Sequence, residues 1–120
     1  MATIKGPDFT KKNKDALLIT LPDGEGGSFE LSVYPPTKGI WDDVSALAPV
    51  MDELISGSME PEDFDMGAAL DVVARAMSLN SSYRRFDAAE LERIGFDIED
   101  IGTFLGAYIF FVSELVKVKN

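Results

Sequence analysis

The sequence predicts an α+β domain, mainly α-helical: an N-terminal β-hairpin packed on a bundle of about four helices. Three observations lead there. Leu17-Leu18-Ile19-Thr20-Leu21 is a strand-like run, and Phe29-Glu30-Leu31-Ser32-Val33-Tyr34 alternates apolar and polar strictly. Beyond Pro35-Pro36 the apolar residues recur at helical spacing. The last block, from Ile98 onward, is apolar on nearly every side, which is the pattern of a helix with neighbours on several faces.

Size and composition set the bounds. A chain of 120 residues suits one domain, read as a flexible arm over 1–16 followed by a single domain over 17–120. Hydrophobic residues make up 46%, enough for a packed core. Acidic residues number 21 against 11 basic ones, so the formal charge is −10. Such a field repels nucleic acid and anionic membranes and favours solubility and basic partners. The absence of cysteine excludes disulfides and thiolate metal sites, and histidine is absent too. Met1-Ala2-Thr3 is not followed by a signal-like apolar stretch, and the run 108–112 is too short to span a bilayer.

The elements follow in order. Residues 1–15 are polar and hold Lys5, Lys11, Lys12 and Lys14, the only net-positive stretch. They read as a loose arm, or as an arm that docks on an acidic neighbour such as another copy of the chain. The hairpin spans 17–34, its turn being Pro22-Asp23-Gly24-Glu25-Gly26-Gly27-Ser28. Pro35-Pro36 stops the second strand, because proline cannot donate to the ladder. Ile40, Val44, Leu47, Met51, Leu54 and Ile55 predict a helix over about 38–55, with Asp42 and Asp43 in its first turn and a kink or break near 45–48 from Pro49. Pro61 and the acids around it open a second helix over about 61–79, whose small residues Gly67, Ala68, Ala69, Ala74 and Ala76 allow close packing. Asp87-Ala88-Ala89-Glu90 has capping-box spacing and starts a short helix over about 88–94, which Gly95 stops. Asp97 caps the final helix, about 98–117, with Lys117 and Lys119 near its carboxyl end.

Candidate chemistry is sparse. The glycine-rich turn at 23–27 lacks the lysine and the following helix of a phosphate cradle and carries two carboxylates. The acids between Glu60 and Asp65 lack the alternate ligands, central glycine and distal glutamate of a calcium loop. Tyr83-Arg84-Arg85-Phe86 is too small a basic patch for nucleic acid; its arginines are expected to pair with acids of this domain or a neighbouring subunit. Glu90, Asp97 and Asp100 could supply a carboxylate pair, but each has a capping explanation and no nucleophile–base pair accompanies them. The chain is therefore read as a non-enzyme without metal or cofactor. Trp41 is a packing anchor or an interface residue. The final helix is either wholly buried, or buries one stripe while another, Tyr108, Phe111 and Leu115, meets a partner; both can hold together. Trp41, Tyr108, Phe111 and Leu115 are the candidate partner contacts.

The stretches 17–36 (Leu-Leu-Ile-Thr-Leu, then Phe-Glu-Leu-Ser-Val-Tyr-Pro-Pro), 69–79 and 87–116 give the chain a style that resembles the tail assembly chaperones of long-tailed bacteriophages, over roughly 100 residues. The resemblance rests on the order of elements and not on a catalytic motif. It implies a factor that keeps the tape-measure protein soluble, recruits tail-tube protein, acts in the host bacterial cytoplasm and is absent from the mature virion. It also implies that a longer form made by frameshifting is compatible with the chain's end. Self-association would raise avidity along a long client. The alternatives are a structural head–tail or tail-terminator component and an acidic inhibitor that mimics nucleic acid. A mimic binds with strong salt dependence, whereas apolar contact with a client survives salt.

Overall fold

The structure, a computed structural model, describes residues 8–12 and 16–119, with side chains from 16 to 115. Its sheet has three antiparallel strands in the order β1 (Asp8–Lys12), β2 (Leu17–Pro22), β3 (Ser28–Val33). Four helices follow: α1 (Lys38–Ser56), α2 (Met66–Met77), α3 (Ala88–Arg93) and α4 (Ile98–Lys119), with a short 3₁₀ turn at Pro61–Asp63. The fold is α+β and mainly helical, as the sequence predicts.

The hairpin register is set by its apolar period. Leu17 faces Val33, Ile19 faces Leu31 and Leu21 faces Phe29. All of these but the half-buried Phe29 are buried, so one face of the sheet covers the helices; a slip of one residue would turn that face to water. At the turn, Gly24 (φ 84°) and Gly26 (φ 91°) take the left-handed conformation that other residues avoid. The N–H groups of Glu25 and Gly27 donate to the Asp23 carboxylate at 2.7 and 3.0 Å. These bonds hold the Asp23 carboxyl below its usual range. The loop thus closes around its own carboxylate rather than a phosphate.

Residues 8–12 correct the expectation of a loose arm across 1–16. They form an edge strand on β2, with Asp8 opposite Thr20 and Lys12 opposite Leu17, and an irregularity between Asp8 and Lys11. The pairing uses the free backbone of β2, so it leaves no apolar period to read; lysine is common on such edges. The remainder of that arm lies outside the described residues.

The helices begin where short polar side chains can cap them. Thr37 accepts from Ile40 N, Asp65 from Ala68 N at 3.0 Å, and Asp87 from Glu90 N at 2.8 Å. Asp97 and Asp100 cap reciprocally, each carboxylate accepting the other's backbone N–H at 3.0 Å. Two boundaries differ from expectation. The second helix starts at Met66 and not at residue 61, because Asp65 is the cap and the proline-led turn before it is 3₁₀. Asp42 and Asp43 fall beyond the first turn of α1; they pair instead with Lys38 (3.0 Å) and with Arg75 of α2 (2.8 Å). Pro49 lies within α1 without ending it. The bond it cannot make belongs to the Ser45 carbonyl on an exposed turn, where water can serve as donor.

The core lies between the sheet and the bundle. Ala69, Leu70, Val73, Ala74, Ala76 and Met77 make α2 the helix of small and medium side chains that the others pack on. Ile101, Phe104, Tyr108 and Phe111 supply the largest contribution from α4, with the Phe104 and Tyr108 rings stacked 5.1 Å apart. Residues after α2 return to the sheet: Tyr34 N donates to Leu79 O and Ser81 N donates to Ser32 O.

Candidate functional site

Helix α4 carries two apolar stripes, about 100° apart at the helical repeat. The first, Ile101, Phe104, Tyr108 and Phe111, is in the core. The second runs through Ile98, Gly102 and Ile109, with Gly106 beside them and the buried Leu105 beneath, and forms one wall of a groove of about 760 Å³. Its other wall is α1, through Ala48, Met51, Asp52 and Ile55. Ile55 is 70% exposed and Ile98 is 37% exposed, high values for aliphatic side chains. Along α4 the groove extends from Ile98 to Ile109, about 16 Å at 1.5 Å per residue, or three turns of a docked helix.

Glycine shapes this groove. A Cβ at Gly102 would meet Ile55 Cδ1 and Met51 Cε at 3.8 Å each, ordinary van der Waals contact, so the ends of these α1 side chains lie over the glycine with room for a methyl group. A Cβ at Gly106 would meet nothing within 4 Å, so one turn on the helix presents open backbone to the groove. Phe110, 58% exposed, lies one turn beyond Gly106.

Carboxylates rim it. Asp52, Glu99 and Asp100 line the groove, and among the described residues no lysine or arginine does. Burial is the main cause that pushes the Asp100 carboxyl up to about 6, aided by the charges of Asp97 and Glu99. The Asp97 backbone N–H opposes this but does not win.

The four contacts expected from sequence are placed as follows. Tyr108 and Phe111 are fully buried, and Tyr108 O–H donates to the Tyr34 carbonyl at 3.1 Å. Burial accordingly raises the phenol well above its usual range. Neither ring offers a free surface, which corrects their assignment as partner contacts. Leu115 is half-buried on the same inward side, against the core, and Trp41 is half-buried against the core from α1. The outward stripe is therefore Ile98, Gly102, Gly106 and Ile109, not Tyr108, Phe111 and Leu115. The i, i+4 glycine pair was its sequence signal.

The remaining candidate carboxylate, Glu90, has structural partners. Glu90 pairs with Arg93 at 2.8 Å and with Arg84 at 3.5 Å, and Arg93 is the main cause that lowers its carboxyl. Arg84 lies over the Phe29 ring, 4.0 Å from its centre, so this arginine pairs within the domain. Among the described residues no group of three or more acids converges as a metal site, and no helix is long and apolar enough to cross a membrane. Compared with protein-family models, with curated proteins and with solved structures, the chain matches none.

Proposed function

We propose that this protein is an assembly chaperone of a long-tailed bacteriophage, which binds the tape-measure protein, keeps it soluble and recruits tail-tube subunits. The observation that carries the reading is the second apolar stripe of α4. A helix already anchored in the core leaves a three-turn apolar groove open beside it. A net charge of −10 keeps such a surface in solution. Binding of this kind needs no catalytic group, cofactor or metal. The order of elements that resembles the tail assembly chaperones supplies the biological setting: action in the host cytoplasm, absence from the finished particle, and self-association along the client. Neither nucleic acid nor membrane is a partner in this reading.

The test is an affinity pull-down of the tagged protein from phage-producing cells in high salt, with mass spectrometry of what is retained. Recovery of a very long helical phage protein together with tail-tube subunits is the expected result. Recovery of only capsid or connector proteins favours a structural tail component. Recovery of a nuclease whose binding is lost in salt favours an acidic inhibitor.

A further inference from the structure

We infer that the α1–α4 groove receives an amphipathic helix whose apolar face is bordered by lysine or arginine. The inference rests on the chaperone reading and names the chemistry of the client segment.

Three features select that occupant. The length, about three turns, suits a helix better than a single side chain. The open backbone at Gly106 permits an approach closer than side-chain-to-side-chain packing does. Among the described residues the charges on the rim are all of one sign: Asp52 and Glu99 are exposed, Asp100 is partly so, and no described lysine or arginine lines the groove. An approaching acidic helix meets repulsion on both walls, while a basic border finds carboxylates on both. Apolar burial supplies affinity and the rim supplies selectivity and register.

The full chain is titrated with three labelled 18-residue peptides. All share one leucine-and-alanine face; the polar border is lysine, glutamate or glutamine. Fluorescence anisotropy is read at low and at high salt. The lysine-bordered peptide is expected to bind about tenfold tighter than the glutamate-bordered one at low salt, the gap shrinking in high salt while both retain apolar binding. Asp52→Lys is expected to erase most of the gap. Gly106→Leu is expected to abolish binding of all three by filling the groove.

Gly106→Leu is a fair variant because it places a good helix former where a Cβ meets nothing, so its melting temperature should hold or rise. Equal affinity for the three peptides overturns the charge assignment. Undiminished binding to Gly106→Leu overturns the groove. Should Gly106→Leu instead dissociate an oligomer seen by light scattering, the occupant is a second copy and the inference fails. The failures of the two readings are distinct. A Gly106→Leu protein that still retains the tape-measure protein sinks the groove and leaves the chaperone standing. A wild-type protein that binds the lysine peptide but retains no such client does the reverse.

Discussion

The hydroxyl of Tyr108, buried in the middle of α4, donates to the backbone carbonyl of Tyr34, 74 residues earlier, at 3.1 Å. That carbonyl lies just past β3, where proline ends the strand, so no ladder partner takes it. The bond fastens the end of the hairpin to the terminal helix and gives a buried phenol its required acceptor.

Tyr108→Phe is therefore expected to lower unfolding free energy by about 1 kcal/mol, the net value of one hydrogen bond, with the ring packing kept. Tyr108→Ala removes the ring between Phe104 and Phe111 as well and is expected to cost about 3–5 kcal/mol. Urea denaturation followed by circular dichroism separates the two. A Phe variant as damaged as the Ala variant would mean that the hydroxyl carries the whole contribution.

The turn after α2 is organised by Asn80, the one buried polar residue among those described. Its amide donates to the carbonyls of Met77 and Arg84 at 2.7 Å each, and its carbonyl oxygen accepts from Ser82 N and Arg84 N at 3.0 Å. Asn80→Ala leaves those backbone groups without their partner, and a loss of about 2–4 kcal/mol is expected in the same denaturation assay.

Inside that turn Tyr83 sits at φ 57° and is 90% exposed. A side chain there crowds the backbone and buries nothing in return. Tyr83→Gly is expected to leave stability unchanged or raise it by up to about 1 kcal/mol, the release of left-handed strain offset by glycine's larger unfolded-state entropy. A drop of more than about 1 kcal/mol would assign the ring a packing role in this chain.

How much of this was legible beforehand depended on whether a local signal fixed the answer. The hairpin followed from the strict alternation of Phe29, Leu31 and Val33 beside the apolar run 17–21, while the register that sets them opposite Leu21, Ile19 and Leu17 came with the structure. The caps at Asp87 and Asp97 followed from their spacing to Glu90 and Asp100. Strand β1 did not, since an edge strand is held by its neighbour's backbone and shows no apolar period of its own. The inward stripe of α4 was not legible either. A helix apolar all round has no preferred direction in sequence, and only the position of α2, α1 and the sheet decides that Tyr108 turns in and Gly106 turns out. That one rotation moved the candidate site from aromatic rings to a glycine-floored groove.

Asp100 gives the groove a pH signature in stability. Its carboxyl is pushed up to about 6 in the folded chain from an ordinary 3.8, chiefly by burial and then by the charges of Asp97 and Glu99, while Asp52 lines the same groove from α1. Because the folded value is the higher, the folded state holds the extra proton between the two. Stability from this group is thus fully present below 3.8 and lost as pH rises toward about 6. Asp100→Asn keeps an oxygen to accept the Asp97 N–H and removes the charge. The variant is expected to match the wild type near about pH 4 and to exceed it by about 1 kcal/mol near about pH 7, after discounting the shift for the group's remaining contact with water. The comparison is a pair of urea titrations at the two pH values. An Asn variant less stable than the wild type near pH 7 would mean that the cap prefers a charged acceptor at the α4 amino end, and that its attraction to the helix dipole outweighs the burial of the carboxylate.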